Sequence, residues 1–190
     1  MNVYEYICLD IWKIIFEYCD FISKIRLSQV CTLFYKNLHI TDFCNIEYKY
    51  KNKLTDDILK NYKNIIKLNV GYNSKIKDVS WMSNLKELDA SWVGIDQNGI
   101  KNLNLIKLKV RHNSKIKDVS WMSNLIELHI GGDCGINQNG IKNLNLIKLD
   151  AYDNSKINDV SWMNNLRELS AGGGNCGIDQ EGIKNLNLIK

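Results

Sequence analysis

The chain has 190 residues, 45% of them hydrophobic and 24% charged, with a formal net charge of +4 and no proline. That length and apolar fraction suit one or two units with a real core and exclude a disordered chain. Lysines and acids are interspersed, which excludes a basic nucleic-acid tail, and no window reaches the roughly 18 apolar residues of a membrane span. Cysteines stand at 8, 19, 31, 44, 134 and 176 with no C-x-x-C pair. The N-terminus carries Glu5, Asp10 and Lys13 where a signal peptide needs an unbroken apolar core. Reduced thiols and a cytoplasmic or nuclear location are therefore expected.

From Ile7 to Leu38 apolar residues recur at helical spacing without any longer repeat. Ile11, Ile14, Ile15 and Tyr18 suit one helix face, Ile22 and Ile25 begin another, and Val30, Cys31 and Phe34 form a third cluster. The pattern predicts three short helices. The run Asp10-Ile11-x-x-x-Ile15-Phe16, followed after a spacer by Val30-Cys31-x-x-Phe34, resembles the F-box, which docks a subunit onto the adaptor of a cullin-based ubiquitin ligase. The resemblance places Ile7, Cys8, Ile11, Ile15, Phe16, Val30, Cys31 and Phe34 where the family packs its helices or meets the adaptor. Ile7-Cys8 stands where the family commonly has Leu-Pro. The residues alone also allow a helical cap that seals the first coil of a repeat array.

The rest of the chain repeats. Starts of the pattern L-x-x-L-x-(L/V/A) fall at Ile65, Leu85, Leu105, Leu125, Leu146, Leu166 and Leu188, and a divergent earlier copy is expected to begin at Phe43. The stretch NSKIKDVSWMSNL at Asn73 returns unchanged at Asn113 and nearly so at Asn154. A period of about 20 residues with this pattern resembles the leucine-rich repeat family, whose unit is a short parallel strand, a turn and a return segment. The expected fold is an α/β solenoid: helices over 1–39, then about seven coils over 40–190 around a parallel concave sheet, the last coil incomplete. Strand alternation turns Leu68 and Val70, Leu108 and Val110, and Leu149 and Ala151 inward. Asn73, Asn113 and Asn154 fall where the family places a turn Asn that bonds adjoining coils. Val93, Cys134 and Cys176 take that place in the alternate coils, which predicts an amide ladder through every second coil. Ile76, Val79 and Met82, with their copies, should line the return segment, and Trp81, Trp121 and Trp162 read as a structural stack.

The residues that drift between copies are the outward ones. One outward column reads Asn69, Asp89, Lys109, His129, Asp150, Ser170; the pairs that follow include Gly71-Tyr72, Ser91-Trp92, Arg111-His112 and Tyr152-Asp153. This is the composition of a binding surface, and Asn69, Tyr72, Asp89, Trp92, Lys109, Arg111, His112, His129, Asp150 and Tyr152 are its candidate target contacts. A further column, Lys67, Glu87, Lys107, Glu127, Lys148, Glu168, alternates in sign and reads as a structural ladder of opposite neighbours. It also suggests a true unit of two coils.

No catalytic residue, metal ligand set or cofactor motif emerges. His129, Asp150 and Ser170 share a column, but nucleophilic catalysis needs the His between the other two. His129 and Asp150 read as a partly exposed pair. Gly172-Gly173-Gly174-Asn175 lacks the Gly-Lys-Ser/Thr that completes a phosphate loop. The expectation is a non-enzymatic substrate receptor of a cullin-based ligase, the helices holding the adaptor and the sheet holding an unidentified target protein. The alternatives are an interaction scaffold whose helices only cap the array, and a nucleic-acid binder using Lys107, Lys109, Arg111 and His112, which the surrounding acids disfavour. The proline-free, Asn/Ile/Lys-rich composition together with these two motifs resembles receptors encoded by amoebae or by the large DNA viruses that infect them, which implies host cytoplasm and host targets if viral. The chain closes on Asn187-Leu188-Ile189-Lys190, the opening of another repeat without a polar cap, so a truncated product or self-association through that end is expected.

Overall fold

The computed structural model describes residues 9–92 and 94–189; Ile7, Cys8 and Val93 lie outside the described residues. Three helices open it: α1 (Leu9–Tyr18), α2 (Phe21–Ser28) and α3 (Thr32–Asn37). Asp20 starts α2 as an N-cap, its carboxylate accepting from the Ser23 backbone N–H at 2.9 Å and the Ser23 hydroxyl at 3.0 Å. Those two bonds hold the Asp20 carboxyl below the usual range. Phe16 and Phe34 are enclosed, and Trp12 packs on Phe34 with ring centroids 5.0 Å apart. Phe21 of α2 meets Phe43 edge-on at 5.2 Å, and Phe43 meets Tyr62 at 5.1 Å, so one apolar core runs from the helices into the repeats.

Seven parallel strands follow in sequential order: β1 (Asp42–Phe43), β2 (Lys67–Asn69), β3 (Glu87–Asp89), β4 (Lys107–Lys109), β5 (Glu127–His129), β6 (Lys148–Asp150) and β7 (Glu168–Ser170). Strands β2 to β6 each contribute one buried central leucine, Phe43 fills that place in β1 and the half-buried Leu169 in β7, and two residues on from the five buried leucines Val70, Ala90, Val110, Ile130 and Ala151 are equally enclosed. Ile76, Val79 and Met82 and their copies line the return side, all buried. The chain is an α/β solenoid of repeated coils, each adding one strand to a parallel sheet.

The first coil departs from expectation. Asp42 pairs with Lys67 and Phe43 with Leu68, so Phe43 holds the fourth position of the pattern and the coil opens at Ile40, not at Phe43. Ile40 is buried like Ile65, its counterpart. The longer loop from there to Ile65 makes room for α4 (Tyr48–Lys51) and α5 (Asp56–Leu59), which the repeat pattern did not predict.

Coils meet through two kinds of interface that alternate. In the first kind the Asn side chains reach back one coil. Asn113 Nδ2 donates to Ala90 O and Ile95 O, both at 3.1 Å, while its Oδ1 accepts from Lys115 N at 3.0 Å. Asn73 does the same to Lys51 O and Leu54 O, and Asn154 to Ile130 O. Gln97 accepts from Lys117 N and Asp118 N and donates to Asp118 O; Gln138 repeats this at Asn158 and Asp159. In the first coil the Asp56 carboxylate takes over, accepting from Lys77 N at 3.0 Å. Asn104 and Asn145 accept from Asn124 N and Asn165 N in the same interfaces.

Among the described residues the second kind has no Asn or Gln side chain bridging the coils. There the backbones close directly, with Val119 N donating to Gly140 O at 3.0 Å and Val160 N to Gly182 O at 2.8 Å. Gly99, Gly140 and Gly182 lie so near Lys77 O, Lys117 O and Asn158 O that an added Cβ would fall inside 3.0 Å. Glycine stands at these positions because no side chain fits between the coils.

Trp81, Trp121 and Trp162 do not stack, contrary to expectation. Their coils are two apart, roughly 10 Å at about 4.8 Å per strand, too far for ring contact. Trp121 and Trp162 instead donate Nε1–H to Leu103 O and Leu144 O of the preceding coil, both at 3.0 Å, and Trp81 donates to Asp78 O. The amide ladder gives a first prediction. Asn113→Ala should cost about 1–3 kcal/mol for each buried group left without a partner, read as a lower urea midpoint.

Candidate interaction surfaces

Two surfaces carry the candidate residues. On the helices, Ile11, Ile14 and Ile15 of α1 and Val30 and Leu33 at the start of α3 are exposed, while Cys31 is half-buried. Phe16 and Phe34 are 2% and 0% exposed, so of the two roles the alignment allowed them they take packing, and neither is a surface contact. The reason is geometric: Phe16 faces α2, whose Lys24 Nζ lies 5.5 Å from its ring, and Phe34 faces Trp12.

On the sheet, the alternating charges pair two by two and do not form a continuous ladder. Lys67–Glu87, Lys107–Glu127 and Lys148–Glu168 close at 2.7, 2.8 and 2.9 Å. Lys67 and Lys148 are held above the ordinary lysine value by the hydrogen bond and charge of their partners. The break after Glu127 has a cause. Its other oxygen lies 2.6 Å from His129 Nε2, and His129 Nδ1 lies 3.2 Å from Asp150 Oδ2. Asp150 also holds the Arg111 guanidinium. Burial pushes the Glu127 pKa up, but the bonds from Lys107 and His129 outweigh it and leave the carboxyl below its usual range. For His129 burial prevails over the opposing pull of Glu127, and the pKa falls below the ordinary histidine value.

His129 and Asp150, expected as a partly exposed pair and among the target contacts, are thus enclosed, at 9% and 4% exposure. Two further partners, Glu127 and Arg111, fold over them. In register Asp150 sits between His129 and Ser170, which is the wrong order for a nucleophilic triad. The five cysteines among the described residues are free, and burial pushes the Cys44 thiol up to about 12 and Cys134 to about 11, far from a reactive thiolate. Cys134 does occupy the turn-Asn place and is fully buried; Cys176 is half-buried there.

Asn69, Asp89 and Lys109 stay partly open and line a depression of about 300 Å³ over β1 to β4. Tyr72, Trp92, Arg111, His112 and Tyr152 are exposed at the exits of their strands. There the backbone holds a feature that the aromatic residues themselves do not signal. Tyr72, Trp92, His112 and Asp153 adopt the left-handed conformation, with φ of 65°, 59°, 53° and 59°. For a bulky residue such a φ is rare and costs on the order of 1–3 kcal/mol. The rings form a continuous stack, Tyr72 to Trp92 at 5.8 Å and Trp92 to His112 at 3.8 Å between centroids.

A repeat solenoid entered through an apolar helical segment, with paired charges and exposed rings on its sheet, is the class of protein that this geometry defines. Residues 6–43 match the F-box domain family. Among solved structures the chain is similar to the functional domain of InlJ from Listeria monocytogenes, described as including a cysteine ladder, at 16% identity and a TM-score of 0.41. That similarity covers 60% of this chain and 27% of the other. No curated protein matches the chain. Among the described residues no helix is long and apolar enough to cross a membrane.

Proposed function

We propose that the chain is a non-enzymatic substrate receptor of a cullin-based ubiquitin ligase, with its helices on the adaptor and its sheet on a target protein. The observation that carries this reading is the F-box match over residues 6–43, joined to apolar side chains left uncovered on those helices: Ile11, Ile14, Ile15, Val30 and Leu33. Ile7, Cys8 and Cys31 belong to the proposed adaptor surface by alignment, and Phe16 and Phe34 shape it from beneath. The proposed division falls between residues 39 and 40, supported by the opening of the first coil at Ile40. The receptor acts by proximity: holding a target beside the charged conjugating enzyme raises effective concentration without chemistry in this chain. The location that goes with this role is cytoplasm or nucleus. Composition is what supports an amoebal or viral origin, with host proteins as targets.

A second reading is favoured by Phe21 against Phe43, which makes the helices a lid on the first coil. Binding of the purified chain to the adaptor separates the two. Wild type should bind, and Ile15→Asp and Val30→Asp should weaken binding at least tenfold with melting temperatures close to wild type. A wild type that does not bind leaves the helices as a cap and the protein as a scaffold.

A further inference from the structure

We propose that the strand-exit edge from Tyr72 through Trp92 to His112, together with Lys109, binds an extended peptide segment of the target that carries one acidic side chain near an aromatic or proline residue. This rests on the target-binding half of the function proposed above and is independent of the adaptor half.

The first support is backbone conformation. The solenoid needs left-handed residues elsewhere, at Asn102, Asn143 and Asn185, and at that turn it uses asparagine each time. Asparagine tolerates this conformation because its short side chain bonds locally. At the sheet edge the same conformation is filled by Tyr72, Trp92 and His112, where Gly132 and Gly173 show that glycine serves the geometry equally well. Rings are therefore placed at this edge against the preference of the backbone. Gly132 has a role in the arrangement, since a Cβ there would strike the His112 ring. Tyr72 and Trp92 remain 62% and 49% exposed in spite of stacking, which leaves ring faces and edges open to a partner.

The second support is charge. The outer face carries the cations Lys67, Lys107, Lys109, Arg111 and Lys148, and all but Lys109 are closed on carboxylates of the same face. Asp89, in register with Lys109, spends an oxygen on Ser91 N at 3.1 Å. Among the described residues of this face, one uncommitted cation amid Glu87, Asp89, Glu127 and Asp150 suits a single carboxylate and not a phosphate backbone. Lys109 precedes His112 by three residues, so their Cα atoms lie at most about 10 Å apart, a span that three residues of an extended ligand cover.

A random dodecapeptide library displayed on phage, selected on the immobilised full chain, tests this. The expected winners carry Asp or Glu two to four positions from Trp, Tyr, Phe or Pro, bind Trp92→Gly and Lys109→Glu at least tenfold more weakly, and leave adaptor binding unchanged in both variants. Lys109→Glu should redirect selection to basic peptides. Glycine suits the left-handed φ, so Trp92→Gly should melt close to wild type; if it does not, Lys109→Glu still decides. The proposal is overturned if nothing is enriched, if winners lack an acid, or if they bind both variants as well as wild type. It is equally overturned if a labelled single-stranded oligonucleotide binds more tightly than any winner and is released by salt. Adaptor binding measured on the same preparations separates failure of the peptide edge from failure of the receptor reading.

Discussion

Phe34→Ala should destabilise the protein by about 3–5 kcal/mol, the largest single effect expected from the helical segment. Phe34 is wholly enclosed, packs on Trp12, and belongs to the same apolar core as Phe16 and Phe43. Truncation removes the transfer free energy of a phenyl group and leaves a cavity that two packed helices cannot close. Phe34→Asp adds a buried carboxylate and should leave the segment unfolded at neutral pH. Chemical denaturation followed by far-ultraviolet circular dichroism would measure both. The contrast with Ile15→Asp matters for function. Ile15 is 39% exposed, so its substitution reports on docking, whereas loss of adaptor binding in a Phe34 variant reports only on folding.

The second large effect is expected from a methyl group. Gly140→Ala should cost about 1–3 kcal/mol, because its Cβ would press on Lys117 O, and a backbone carbonyl cannot move aside as a side chain can. The bond from Val119 N to Gly140 O ties the same two segments together, so the strain cannot be relieved by parting the coils without losing it. Gly174→Ala is the control: nothing lies within 4 Å of a Cβ there, and its melting temperature should match wild type. Equal stabilities for the two variants would mean that the coils at Gly140 separate easily.

Much of this architecture could be read before any coordinates. Leucine at a twenty-residue spacing fixes strand, turn and return segment, and the outward columns fall in the register that period predicts. The buried amides of Asn73, Asn113 and Asn154 were legible because a polar residue repeated inside an apolar turn needs partners. What escaped reading depends on three-dimensional neighbours. Phe43 looks like the head of a repeat because one aromatic residue resembles another in a pattern; only pairing with Leu68 shows which position it fills. Alternating Lys and Glu permit a continuous ladder or separate pairs, and between Glu127 and Lys148 it is His129 that decides, by taking the second oxygen of Glu127. The tryptophans suggested a stack because their spacing is regular, but a regular spacing of two coils is a regular separation. Left-handed backbone at Tyr72, Trp92 and His112 is not signalled by those residues, since aromatic residues do not ordinarily mark that conformation. The one available hint was alignment with Gly132 and Gly173 in the same column.

The two alternating interfaces restrict how such a chain can change its length. A coil bearing Asn113 has on one side a neighbour that offers Gln97 and on the other a neighbour that offers Gly140. Deleting a single coil would join faces that do not match, setting the face of Asn113 against a coil without Gln97, or the face of Gly140 against the Gln-bearing side of another coil. Deleting or inserting two restores every contact. Array length in such a chain has parity: it changes by even numbers of coils, and any natural variant should differ from this one by whole pairs. Every permitted change also carries over one Asn-bearing coil and one glycine-bearing coil, so the outer face grows by two rows at a time, the first bringing the Lys and the second the Glu of one closed ion pair.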